Sequence, residues 1–221
     1  MPFAAVIFDL DGTLVDSSRD LADAVNRALT EQGLPARSHE EIRAFVGDGA
    51  RRLIDRSLPE DQLALAPDTL ARFQAHYGRG LLASTRPYPG VVEVLEALAP
   101  RPLAVATNKP EGFSRAILAG LHLDRFFAVV VGGDSLAVRK PDPQVLFEVA
   151  RRLGVEVEAT LYVGDGLQDV LAARRAGMAC GAVSWGFCSV EALLAAGAEL
   201  VFEAPREILD VVRAATLPPR P

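Results

Sequence analysis

Short apolar runs, too brief for buried helices, recur at residues 4–8, 103–106, 128–131, 161–163 and 181–183, with a weaker one at 200–202. Each reads as a strand buried on both faces, which is the habit of a parallel sheet. From residue 103 onward the runs alternate with helical patterns at 112–121, 143–153 and 167–176, the second opened by Asp142 as N-cap with Pro143 in its first turn. Parallel strands need crossover connections, so this alternation predicts an α/β fold with a doubly wound, mainly parallel, Rossmann-like sheet.

Residues 16–86 break the alternation. Leu21, Val25 and Leu29 fall four apart, as do Phe73, Tyr77 and Leu81, and no convincing strand intervenes. The expected organisation is a core formed by residues 1–15 and 88–216, an inserted all-helical cap domain at 16–87, and a frayed proline-rich tail at 217–221. Pro87, Pro89 and Gly90 punctuate the return to the core, and Val91, Val94, Leu95 and Leu98 mark the helix that follows.

In such a sheet, ligands collect beyond the carboxyl ends of the strands. Asp9-Leu10-Asp11-Gly12-Thr13 follows the first run, Thr107-Asn108-Lys109 the second, and Gly164-Asp165-Gly166 the fourth, while Lys140 stands just before a helix. Asp9 and Asp11, two apart in extended chain, point to the same side, and Gly12 lets the backbone turn away. Alone, each aspartate reads better as a turn or cap residue. Three of them at successive strand ends point instead to a cation, and oxygen donors without histidine or cysteine favour Mg²⁺. Lys109 and Lys140 are the only lysines among 23 basic residues. The Thr107 hydroxyl and the Lys140 ammonium are the groups a transferring phosphoryl needs.

Composition narrows the partners. Among 221 residues, 50% are hydrophobic and 24% charged, enough apolar matter for a substantial core. A net charge of −6 opposes a nucleic-acid partner. No apolar run reaches the roughly 20 residues of a membrane span, and no targeting segment precedes the first strand, so no membrane partner and a cytoplasmic location are expected. Cys180, Cys188 and three scattered histidines form no disulfide or zinc pattern.

These motifs, FDLDGTLVDS at 8–17, ATNK at 106–109, KPDP at 140–143 and GDGLQD at 164–169, resemble the haloacid dehalogenase superfamily in type and order. The insertion resembles that family's C1-type cap, and residues 45–56 are similar to the cap loop and helix of phosphoglycolate phosphatases. The resemblance implies a Mg²⁺-dependent phosphatase acting on a small phosphorylated substrate, 2-phosphoglycolate first. A sugar phosphate or nucleotide is the alternative, as is a non-catalytic phosphate sensor. It implies that Asp9 is the nucleophile and Asp11 the acid and base. Mg²⁺ would be held by Asp9, the Asp11 carbonyl and Asp165. Thr107, Asn108 and Lys140 would bind the phosphoryl oxygens, Asp169 would orient Lys140 or metal-bound water, and Gly12 and Thr13 would shape the turn. Gly166 and Gln168 depart from the common fourth motif, where serine and asparagine are frequent.

In the cap, Arg52 and Arg56 lie four apart, so one or both can present a fork to a carboxylate on the leaving group. The competing reading is a solvated face with an Arg51–Asp55 pair, and Asp48 reads as a helix N-cap. Dehalogenation fits poorly with an acid at Asp11, since halide leaves without a proton. The absence of a cap lysine opposes Schiff-base phosphonate cleavage and weakens a sugar-phosphate mutase.

Overall fold

A computed structural model describes residues 3–214, so the expected tail at 217–221 lies outside the described residues. The strands are β1 (Ala5–Phe8), β2 (Val15–Asp16), β3 (Arg86–Pro87), β4 (Leu103–Ala106), β5 (Val129–Val131), β6 (Thr160–Gly164), β7 (Ala179–Val183) and β8 (Leu200–Phe202). Six form one sheet in the order β5-β4-β1-β6-β7-β8, and every pairing in it is parallel. The chain leaves β1 toward β4 on one side and leaves β6 toward β7 on the other. The boundary between β1 and β6 is therefore the topological switch point, where a doubly wound sheet opens a crevice.

Between β2 and β3 run four helices, α1 (Ser18–Thr30), α2 (His39–Phe45), α3 (Ala50–Ser57) and α4 (Ala66–Arg79). They bury a hydrophobic cluster of their own, in which Leu21, Val25 and Leu29 meet Phe73 and Tyr77. Leu81, expected on the same face, lies beyond the end of α4 and packs instead between this cluster and the core.

The remaining helices are α5 (Val91–Leu98), α6 (Glu111–Gly120), α7 (Gln144–Leu153), α8 (Leu167–Ala176), α9 (Val190–Ala195) and α10 (Arg206–Arg213). Alternation along the strands sorts side chains to two faces. Val6, Phe8, Val105 and Val163 pack with α5, α6 and α10, whereas Ile7, Ala104, Ala106 and Tyr162 pack with α7, α8 and α9.

Three local expectations are corrected. The segment read as strand-free carries β2 and β3, which pair antiparallel with Val15 opposite Pro87 and Asp16 opposite Arg86. Two residues are too few to show a period-2 pattern, and Pro87 marks the pairing as an edge. Asp142 is not the N-cap of α7: Pro143 holds that position, and Asp142 accepts from the Gln144 N–H at 2.9 Å in a local turn. Strand ends shift by one or two residues, because backbone pairing brings in Thr160, Ala179 and Cys180 and leaves Ala4 out.

Candidate active site

The floor of the site is made by chain leaving the sheet at the switch point. The Asp9 N–H continues the ladder to the Val163 carbonyl at 2.9 Å, then Gly12 turns the chain with φ 81°. A Cβ at Gly12 would lie 2.0 Å from an Asp165 oxygen, so this turn and that carboxylate can approach only because residue 12 has no side chain. Asp165, at the end of β6, accepts from the Thr13 hydroxyl at 3.1 Å and from the Phe187 N–H at 2.7 Å.

Beneath them, Lys140 reaches up from the loop before α7. Its Nζ donates to Asp169 at 2.6 Å and to the Tyr162 hydroxyl at 2.7 Å, and stands 3.0 Å from Asp9 Oδ1. Asp169, in the first turn of α8, also accepts from the Gly166 N–H at 2.9 Å. Lys140 and Asp169 are both buried. Thr107 and Asn108 follow β4, with the Thr107 N–H bonded to the Val131 carbonyl at 3.0 Å and the Thr107 hydroxyl turned toward Asp9.

The electrostatics of this floor are unbalanced. Burial pushes the Asp9 carboxyl up to about 6 even though Lys140 pulls it down, and Asp169 and Asp11 add to the rise. Burial also drives Asp165 well above the usual carboxylate range, reinforced by Asp9 and Asp169. Burial opposes the charge on Lys140, yet Asp169 and Asp9 overcome it and hold its pKa above the ordinary lysine value. Asp9 Oδ1 is buried, and its contact is the Lys140 ammonium at 3.0 Å. Carboxylate oxygens of Asp9, Asp165 and Asp169 lie within 4.8 Å of one another. A buried carboxylate oxygen held by a single ammonium, beside two further carboxylates, fits a hard divalent cation. Lys140, Tyr162 and Gly166 already occupy Asp169, which leaves Asp9 and Asp165 as the better ligands. The Asp11 carboxylate lies outside this cluster, in keeping with the expectation that Asp11 would meet a metal through its main-chain carbonyl.

Asp11 turns its carboxylate toward the cap. It accepts from the Ser17 hydroxyl at 2.5 Å and from Lys109 Nζ at 3.1 and 3.0 Å, and Lys109 donates in turn to the Tyr77 hydroxyl of α4 at 2.6 Å. Sequence reading assigned no site role to Lys109. The available signal was its position two residues past Thr107, at a strand end, in a chain with two lysines.

Above the floor is a cavity of about 430 Å³ whose wall includes Asp9, Asp11, Thr107, Asn108, Asp165 and Asp169. A cap loop descends to its rim: Asn108 Nδ2 donates to the carbonyls of Gly47 and Lys140, each at 3.0 Å. Gly49 takes φ 86°, and a Cβ there would lie 3.2 Å from the Asn108 carbonyl. Asp48 is not the N-cap of α3, a position held by Gly49. It pairs instead with Arg56 at 2.5 Å and accepts from Gln168, so Gln168 joins core to cap. Arg56 lines the cavity, but Arg52 does not. Ala50, Leu53 and Arg56, spaced by three, form the face of α3 toward the cavity, and Arg52 falls to its exposed side. Arg51 and Asp55 make an exposed pair at 2.8 Å. Arg43, unremarked in sequence, also lines the cavity, donating to the Gly186 carbonyl and lying over the Phe187 ring.

Known proteins match the chain along most of its length. The phosphoglycolate phosphatase of Rhodospirillum rubrum is 44% identical over 209 residues, covering 90% of this chain and 86% of that one. Phosphoglycolate phosphatase 1 of Pseudomonas aeruginosa is 39% identical, covering 94% and 76%. The crystal structure of a predicted phosphoglycolate phosphatase from Haemophilus somnus superposes with a TM-score of 0.87 at 32% identity, covering 96% of this chain and 98% of that one. The profile of the haloacid dehalogenase-like hydrolases matches residues 6–183. With the motifs of that family gathered at one sheet mouth under a helical insertion, the chain belongs to the haloacid dehalogenase-like hydrolases.

Proposed function

We propose that the protein is a Mg²⁺-dependent phosphomonoester hydrolase that works through a phosphorylated Asp9, with 2-phosphoglycolate as its substrate. One juxtaposition carries the reading: a buried Asp9 carboxylate at the cavity floor, with Lys140 at 3.0 Å and the Asp165 carboxylate beside it, and Asp11 on the same loop. The phosphoglycolate phosphatases at 39% and 44% identity support the substrate.

Asp9 attacks phosphorus, so that its oxygen gains the P–O bond as the bond to the substrate's alcohol oxygen breaks. Asp11 gives a proton to the departing oxygen, then takes one from the water that hydrolyses the acyl phosphate. Lys140, fixed by Asp169 and Tyr162, acts with the Thr107 hydroxyl and the Asn108 main-chain N–H to stabilise the phosphoryl oxygens. The Asp9 and Asp165 carboxylates and the Asp11 carbonyl would hold the metal, and bound Mg²⁺ would supply positive charge that lets an anionic carboxylate meet an anionic ester. Residues 16–87 act as a lid whose hinges lie near Asp16 and Pro87, where β2 pairs with β3, and closure excludes water. Two unpaired thiols, Cys180 and Cys188, suit a reducing compartment, and we place the reaction in the cytoplasm.

The test is kcat/KM over a panel containing 2-phosphoglycolate, a sugar phosphate and a nucleoside monophosphate. 2-Phosphoglycolate should lead the panel, activity should vanish on chelation and return with Mg²⁺, and Ca²⁺ should suppress it. A higher value for another ester would reassign the substrate, and turnover surviving complete metal removal would contradict the metal site.

A further inference from the structure

Lys109 is a buried cation that the hydrolytic steps leave without a task. Its side chain is 4% exposed, yet its residue forms part of the cavity wall, and its Nζ sits 3.0–3.1 Å from both Asp11 oxygens. The cap aims it: the Tyr77 hydroxyl accepts from Nζ at 2.6 Å, and Tyr77 is itself fixed by stacking on Phe73 and by an edge contact to Phe113, both with centroids 5.5 Å apart.

The cavity wall offers three cations among the described residues: Lys109 is paired with Asp11, the group that serves the ester oxygen, and the two arginines are paired away from it. Arg56 is committed to Asp48 and to the Phe45 carbonyl, with its side chain 43% exposed, and Arg43 is committed to Gly186 and Phe187. Phe73 and Phe113, packed on the Tyr77 ring that Lys109 meets, line the cavity together with Leu21 and Leu53, so a second charge arriving there meets apolar wall.

We propose that Lys109 is the specificity-determining residue for the leaving group, receiving a carboxylate bonded directly to the ester carbon. The inference rests on the reading of Asp11 as the acid that serves the ester oxygen. An ester oxygen in hydrogen-bond contact with Asp11 lies about one further contact from Lys109 Nζ. A carboxylate two bonds beyond it has oxygens about 3 Å from that ester oxygen, which spans the remaining distance. A neutral alcohol leaves the ammonium with Asp11 and Tyr77 alone. A longer acid carries its charge past Nζ into the apolar wall. The substrate class is thus a small 2-phosphooxy carboxylate, and the selecting charge comes from the core under orientation by a cap tyrosine, with the cap arginines in no direct role.

Binding by two non-hydrolysable probes separates this role from any effect on Asp11 chemistry. 3-Phosphonopropionate carries the carboxylate at the required spacing, and propylphosphonate replaces it with a methyl group. With Mg²⁺ present, calorimetry on the wild-type protein should show the first bound roughly 10- to 100-fold more tightly. Lys109→Met should bring the ratio close to one, and Tyr77→Phe, which removes a single hydroxyl, should lower it several-fold. If Lys109→Met does not fold, Tyr77→Phe still decides the matter. An unchanged ratio in the variant that folds, or no preference in the wild type, would overturn the proposal. Failure of the underlying reading looks different, since Asp11→Asn would then slow an alkyl phosphate and p-nitrophenyl phosphate equally.

Discussion

The floor and the roof of the cavity both carry paired charges, but in different surroundings. On the floor, Lys140 and Asp169 have side chains 2% and 3% exposed, and each has several fixed partners. On the roof, Arg56 and Asp48 are 43% and 25% exposed, and Arg51 and Asp55 beside them are 54% and 24% exposed. Water screens the roof and is excluded from the floor, so equal ion-pair distances carry unequal energies. Removing one floor charge strands another in low dielectric, whereas removing a roof charge lets water take its place.

The largest consequence should follow from Lys140→Met. Asp9 and Asp169 would be left facing each other without a cation, costing about 3–5 kcal/mol in urea unfolding and lowering turnover roughly 10³-fold or more. A loss below about 1 kcal/mol would place floor and roof on the same footing.

Asp11→Asn should come next, lowering kcat roughly 10²-fold on an alkyl phosphate but much less on p-nitrophenyl phosphate, whose phenolate leaves with little protonation. Equal losses on the two esters would remove Asp11 from the acid role.

A pH experiment sharpens the contrast. In metal-free protein the Asp9 carboxyl sits at about 6, raised by burial. A raised carboxyl stabilises the fold below its unfolded pKa, and that contribution is lost as pH rises through about 6. Asp9→Asn, a neutral isostere, should therefore be more stable than wild type at pH 7.5, by roughly 1–3 kcal/mol, with the advantage gone by pH 4. A constant difference across that range would show that the floor carries no such imbalance.

The smallest effects belong to the roof. Arg52→Ala should change neither kcat/KM nor stability measurably, and Arg56→Ala should cost under about 1 kcal/mol of stability with a change of a few fold in KM. A loss as large as that of Lys140→Met would collapse the distinction.

The same contrast explains what the sequence made legible. Asp9, Asp11, Thr107, Asn108, Lys140 and Asp165 follow strands or precede a helix of the sheet, and a parallel sheet delivers all such positions to one mouth. Their convergence needed no knowledge of side-chain partners. The roof depends on how one helix face docks against another. Arg52 and Arg56 share a sequence spacing, yet α3 turns only Arg56 to the cavity, and Asp48 becomes an ion-pair partner because Gly49 takes over as N-cap. Arg43 gains its place through Gly186 and Phe187, from a loop 143 residues away. Lys109 sat in plain view after β4, but its assignment required Tyr77 from α4, a contact that no spacing within either segment reveals.

The central claim is that Asp9 itself becomes phosphorylated. Wild-type protein mixed with Mg²⁺ and 2-phosphoglycolate, quenched in acid within one turnover and digested, should yield the Asp9 peptide heavier by one phosphoryl group. Borohydride treatment should convert that aspartyl phosphate to homoserine. Asp9→Asn should give neither product and no turnover, while remaining folded by circular dichroism. Turnover by folded Asp9→Asn, or a phosphoryl group trapped on another residue, would contradict the account.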